Sequence, residues 1–146
     1  MSDHLKGWIL VGLQVACLVW IFGSFWQIPP AWPGKVMATV GLLLGFWALL
    51  QMPRSSFSVH PLPKKAGSLQ IQGPYRFMRH PMYTAVLLTC MGWLHNRGGN
   101  THLLAFMLLT FIFLVKIKLE EQYLRSKFAE YELYQQKTKR LILWVW

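Results

Sequence analysis

The stretch LKGWILVGLQVACLVWIFGSF, Leu5 to Phe25, decides the fold, because it carries no acid and its one cation stands at its start. A helix rises about 1.5 Å per residue, so about 20 apolar residues cross a hydrocarbon core about 30 Å thick, and this block is long enough. Three more apolar blocks follow, Val36 to Met52, Pro81 to Leu94, and His102 to Val115 with its flanks, and none contains Asp or Glu. They are short for a bilayer, the Pro81 block most of all; flanking Trp and Lys, local thinning or added helical residues would make up the mismatch. The expectation is an all-α integral membrane protein of four transmembrane helices, near 5–25, 36–52, 81–95 and 102–118, with a cytoplasmic amphipathic tail helix near 119–137. The whole chain, 1–146, reads as one membrane domain.

Composition agrees. Of 146 residues 54% are hydrophobic, with eight Trp, nine Phe and only five acids, too little charge for a soluble domain of this size. The first block exceeds the apolar core of a signal peptide, about 7 to 15 residues, and reads as a retained helix. Placing both termini on one side puts 13 of the 15 Lys and Arg on that face and leaves Lys35 and Arg97 opposite. By the positive-inside rule that face is cytoplasmic, with bacterial inner membrane as the expected location. The net charge of +10 is thereby accounted for by topology and an anionic leaflet, with no need of nucleic acid. Cys17 and Cys90 lie far apart in apolar blocks, and the His residues are scattered, so neither a disulfide framework nor a metal site is indicated. Pro53 to Ser68 is the one linker-like segment, and it leads into the polar motif. Nothing in the sequence sets the oligomeric state.

That motif is GPYRFMRHPMY, Gly73 to Tyr83. Pro74 ends preceding regular structure, and Pro81 disfavours helical geometry at His80 while suiting the first position of a helix. A helix start at the cytoplasmic surface, with Arg76, Arg79 and His80 before it and Tyr83 in its first turn, attracts a carboxylate or phosphate. On composition alone the same residues serve equally as positive-inside anchors and an interfacial aromatic belt. The second polar concentration, Glu120 and Glu121, lies just past the fourth apolar block on the same side. Pairs Lys116–Glu120 and Glu121–Arg125 have the four-residue spacing of an ordinary solvated helix face. Against that, two of only five acids stand together at the depth of the basic motif, where a cationic or zwitterionic ligand could be held between them and the helix start. Beyond Leu119, the stripe Leu124, Phe128, Tyr131 and Gln135 would lie on the membrane or fold back as a lid, and Leu141 to Trp146 would return to the interface.

The ordered set Gly73-Pro74-Tyr75-Arg76, Arg79-His80-Pro81-Met82-Tyr83, Glu120-Glu121, Leu124, Phe128, Tyr131, Tyr134 and Thr138-Lys139-Arg140-Leu141-Ile142 resembles the integral-membrane methyltransferases. That superfamily includes isoprenylcysteine carboxyl methyltransferases and phospholipid N-methyltransferases. The resemblance covers about Ser68 to Trp146; the first two helices match in hydropathy alone. It implies S-adenosylmethionine as methyl donor, held by Tyr75, Arg79, His80, Pro81, Met82, Tyr83, Glu120 and Glu121, with Arg76, Tyr131, Tyr134 and Arg140 at the substrate or lid side. The methyl acceptor, lipophilic or small, would enter from the bilayer. A carboxylate or thiolate acceptor needs no base, whereas an amine needs a proton sink, for which His80 and Glu121 are the catalytic candidates. The chain departs from the family in having Phe128-Ala129 for Phe-Gly, which should straighten the tail, Leu143 for Pro, and no Gly-x-Gly segment. Two rivals come from other classes: a membrane reductase related to sterol reductases, and a non-enzymatic four-helix small-molecule transporter, which would want an acid within a span.

Overall fold

A computed structural model describes residues 3–23, 31–52, 69–95 and 99–141. The described chain forms α1 (Asp3–Gly23), α2 (Trp32–Gln51), a 3-10 turn (Gly73–Arg76), α3 (Pro81–Leu94), α4 (Asn100–Lys127) and α5 (Tyr131–Lys137). Among the described residues there is no strand; an isolated parallel bridge joins Met78 to Lys139. The Pro53 to Ser68 linker and the closing segment 142–146, expected to return to the interface, lie outside the described residues.

Helix starts follow the prolines. Pro33 stands in the first turn of α2, which therefore begins before Val36, and Pro81 opens α3 with His80 as its cap in non-helical geometry at φ −124°, ψ 59°. The fourth apolar block is longer than its hydropathy suggests: α4 runs unbroken for 28 residues to Lys127 and absorbs the first part of the expected tail helix. The tail is consequently not one helix over 119–137. Phe128 leaves the helical region at φ −122°, ψ 112°, and α5 starts only at Tyr131. Ala129 does not straighten the tail as expected, because the break is made by Phe128 going extended, and Tyr131 N–H then bonds Phe128 O at 3.1 Å.

α2 and α3 pack most closely, along a seam of small residues. Gly34, Gly41 and Ala48 of α2 face Ala85 and Gly92 of α3, all buried. A Cβ on Gly92 would stand 2.5 Å from both Ala38 N and Gly34 O, and one on Gly41 2.5 Å from Thr89 Oγ1. Small side chains let helix backbones approach and gain dispersion contact where no hydrophobic drive separates lipid from protein. α1 packs against α4 instead, through Cys17 and Ile21 on Leu109, Ile112 and Phe113, with Cys90 of α3 completing the core.

The outward faces are apolar. Trp8, Val19 and Trp20 on α1, Leu42, Leu43, Phe46 and Leu50 on α2, and Leu104, Met107 and Phe111 on α4 are all exposed. A water-soluble chain rarely exposes such continuous apolar surface, and lipid is the solvent that suits it. Three helices, Leu5–Gly23, Trp32–Gln51 and Asn100–Lys127, are long and apolar enough to cross a membrane. α3 has 14 residues and is apolar but shorter; at about 1.5 Å per residue it covers about 21 Å. The protein is an all-helical integral membrane protein in which a short α3 brings its N-terminal end, with the polar motif, level with the polar end of α4.

Candidate functional site

The polar motif is shaped by Gly73, whose φ of +61° is a left-handed value that glycine adopts without a steric penalty. The turn that follows buries Pro74 and Tyr75 and delivers Arg79 and His80 to the end of α4. Between them and α5 the chain is tied by backbone bonds: Arg79 N–H donates to Lys139 O at 2.8 Å, His80 N–H to Arg140 O at 3.0 Å and Lys139 N–H to Phe77 O at 3.3 Å. Thr84 adds a bond from its hydroxyl to Leu141 O at 2.6 Å. The folded-back tail therefore pairs with the motif directly, and its carbonyls occupy part of the helix start that the sequence leaves open for an anion. Pro81 has no N–H, so Met82 and Tyr83 are the first-turn residues whose amides have no acceptor within the helix.

Adjacent Glu120 and Glu121 have different surroundings. Glu121 is buried and clamped: its Oε1 accepts from Arg79 Nε at 2.8 Å and its Oε2 from Arg140 Nε at 3.1 Å. Arg79 in turn donates through Nη1 to Gln135 O at 3.1 Å and to Thr138 O. One guanidinium thus joins α4, the turn before α3 and the end of α5. Glu120 is more open and accepts from the Tyr83 hydroxyl at 3.3 Å. His80, buried, sits between the two carboxylates, with Nδ1 3.6 Å from Glu120 Oε2 and Nε2 3.5 Å from Glu121 Oε1. Its ring stacks on Tyr83 at 5.6 Å, and Tyr83 stacks on Phe113 at 4.7 Å.

A cavity of about 160 Å³ opens beside this cluster. Tyr75, Arg79, His80, Pro81 and Glu120 form its polar end, and Met82, Val86 and Phe113 an apolar wall, with Gln14, Met52, Tyr83 and Lys116 completing it. The Tyr75 hydroxyl is buried and makes no hydrogen bond. Burial first, then the negative charge of Glu120, raises its pKa, so it stays a neutral phenol able to donate to a ligand. Tyr134 donates to Tyr75 O at 2.6 Å, and burial, opposed by Arg79 and Thr138, pushes its own hydroxyl up to about 12.

Of the residues expected at the site, Tyr75, Arg79, His80, Pro81, Met82, Tyr83 and Glu120 meet on the cavity wall. Glu121 lies behind that wall, holding it together with Arg140. Tyr134 braces Tyr75, Tyr131 is buried under α5 with its ring 5.9 Å from that of Tyr134, and Arg76 is exposed and off the cavity. Of the two helix-face pairs expected by spacing, Glu121–Arg125 is replaced, while Lys116 stays within the field of Glu120. Lys116 is buried with its ammonium on Gln14 Oε1 at 2.7 Å, and Arg125 donates to Gln135 Oε1 at 2.9 Å. Gln14 and Thr84 were missed, and Lys116, Gln135 and Thr138, though named in the helix-face pair, the tail stripe and the motif, were given no role at the site. For Gln14 and Lys116 a signal existed, since a polar side chain within an apolar span asks for a partner inside the protein. Among the described residues no cluster of three or more His, Cys, Asp or Glu is placed to hold a metal.

Fold and site together define a helical membrane protein with a half-polar, half-apolar cavity at one end of its helices. The phospholipid methyltransferase family model matches residues 30–131, more than half of the chain, and the protein belongs to that family of membrane methyltransferases. No curated protein and no solved structure matches the chain.

Proposed function

We propose that the protein is an S-adenosylmethionine-dependent methyltransferase acting on a lipophilic or small acceptor, with the donor arriving from the cytoplasm and the acceptor from the bilayer. The observation that carries this reading is the convergence of His80, Glu120, Tyr75 and the α3 start on one cavity whose other wall is apolar. Family membership supports methyl transfer, and the donor set suits this donor in particular. Glu120 is the carboxylate open enough to take its ammonium, the amides of Met82 and Tyr83 suit its carboxylate, and the Tyr75 and Tyr83 rings suit its sulfonium. The cavity is smaller than the roughly 300 Å³ at which ligand pockets usually start, so it takes part of the ligand and not the whole nucleoside.

When bound, the donor supplies an electrophilic methyl that an acceptor N, O or S takes by displacement. The chain's own work is alignment and water exclusion: Tyr83, stacked between His80 and Phe113, separates the polar end from the apolar wall. His80 is a group on the cavity wall able to take the proton that an amine acceptor must lose, its ring standing between Glu120 and Glu121. Glu121 acts as a positioning residue for His80 and Arg79. The placement of the cations supports a cytoplasmic side for both termini, in keeping with a bacterial inner membrane.

Calorimetry of the detergent-solubilised protein tests the donor. Heat of binding is expected for S-adenosylmethionine or its demethylated product, and Glu120→Gln and His80→Ala should each weaken binding about ten-fold or more, about 1.4 kcal/mol, against little change for Lys127→Ala. A folded sample giving no heat with either compound overturns the reading.

A further inference from the structure

The folded-back tail has two faces, and the methyl-donor reading uses only the inner one. There Tyr131 and Thr138 are buried, Tyr134 donates to Tyr75 O, Gln135 O accepts from Arg79, and Arg140 donates to Glu121. On the outer face Leu133 and Lys137 stand one turn apart on α5, both exposed, with exposed Lys139 just beyond. Lys139 N–H bonds Phe77 O at 3.3 Å, so the tail runs beside the turn before α3, where Arg76 and Phe77 are exposed as well. Phe77, 46% exposed, and Leu133, 61% exposed, are large apolar side chains outside the long helices, and neither they nor Arg76, Lys137 and Lys139 line the cavity. The acids of this segment, Glu130 and Glu132, stand at the other end of α5. Among the described residues none of the three cations pairs with an acid. Depth decides what this surface meets. Arg79 N–H donates to Lys139 O at 2.8 Å, which sets the tail cations level with the residues just before Pro81, where apolar α3 begins. Because α3 covers only about 21 Å of a hydrocarbon core about 30 Å thick, its start is drawn to the lipid boundary. At that boundary Phe and Leu seat beside the upper acyl carbons while Lys and Arg reach the phosphates, and three cations favour an anionic leaflet. The carbonyls that bond the Arg79 and His80 amides belong to Lys139 and Arg140, so whatever holds Lys137 and Lys139 from outside also holds the cavity wall from behind.

We propose that the outer face of the tail pairing, Arg76, Phe77, Leu133, Lys137 and Lys139, docks on anionic phospholipid headgroups of the leaflet at the α3 start, and that this contact keeps the tail shut against the cavity wall. The lipid here is a clamp and not a methyl acceptor, and the contact does not rest on the methyl-transfer reading.

Hydrogen exchange of the full chain in two kinds of lipid nanodisc, phosphatidylcholine alone and phosphatidylcholine mixed with phosphatidylglycerol, tests the clamp. The amides of Arg79, His80 and Lys139 report tail closure, since each bonds across the pairing. In the wild type they should exchange about ten-fold more slowly in the anionic discs, while the amides of α2 exchange alike in both. Molar salt should remove the difference by screening. Lys137→Gln combined with Lys139→Gln, two exposed changes that leave the fold intact, should remove it as well, and Lys137→Arg with Lys139→Arg should keep it. Equal exchange of the wild type in the two discs, or a difference that survives the double Gln change, overturns the proposal. A slowing that spreads equally to α2 would mark general stabilisation of the bundle and also overturns it. Millimolar inorganic phosphate giving the full slowing in phosphatidylcholine discs would make the surface a site for free anions and defeat the lipid clamp. Calorimetry with S-adenosylmethionine on the same samples keeps the two readings apart: lipid-dependent protection without donor binding leaves the clamp standing and removes the methyl-transfer reading, and donor binding without such protection does the reverse.

Discussion

Two neighbouring carboxylates divide the labour of the site, and only their surroundings separate them. Glu121 joins Arg79, Arg140 and His80 and is closed off from solvent, whereas Glu120 meets the cavity and the Tyr83 hydroxyl. Removing one partner from a buried ion pair leaves the other charge uncompensated, a loss of about 3 kcal/mol or more. Glu121→Gln should therefore lower the melting temperature clearly in detergent, while Glu120→Gln should leave it nearly unchanged and weaken ligand binding. Comparable melting shifts for both would contradict this division. Tyr134→Phe removes the bond to Tyr75 O and should cost about 1 kcal/mol in the same melting assay. The motif and the Glu pair were legible as a site because scarce charges stand together in an oily chain. Which Glu faces the cavity was not legible, since neighbours on a helix differ by about 100° in direction and only tertiary packing fixes the face.

At the scale of the helices, close approach of α2 and α3 depends on glycines with no room for a methyl. Gly92→Ala forces a Cβ to within 2.5 Å of the α2 backbone, and Gly41→Ala one to within 2.7 Å of Thr89 N, so the helices must separate. Overpacking of this kind costs about 1–3 kcal/mol. Gly12→Ala on α1, where nothing lies within 4 Å, should be neutral or slightly stabilising. Thermal melting of the three variants checks the ordering, and equal stability of all three would argue against the α2–α3 seam. The helices were readable from hydropathy and from Pro81. The length of α4 and the break at Phe128 were not: residues 119–127 are polar enough to read as a separate tail, and an extended Phe has no sequence signature. The tail's pairing with Phe77 to His80 rests on carbonyls that every sequence supplies, and was equally hidden.

At the scale of the whole molecule, a small protein with apolar outer faces on α1, α2 and α4 places a half-polar, half-apolar cavity where the turn before α3, α3 and α4 meet Gln14 of α1 and Met52 at the end of α2. Lipid surrounds it, and the protein belongs to a family of membrane methyltransferases, a chemistry that the proposed reading assigns to the motif and the α4 end. The central claim is that this cavity passes a methyl group from a cytoplasmic donor to a molecule residing in the bilayer. Membranes containing the protein, incubated with S-adenosylmethionine labelled in its methyl group and then extracted with organic solvent, test it most directly. The account predicts label in the organic phase with the wild type and a loss of about ten-fold or more with Glu120→Gln, the rate equivalent of about 1.4 kcal/mol. Label confined to water-soluble products, or equal labelling by the two proteins, would contradict it.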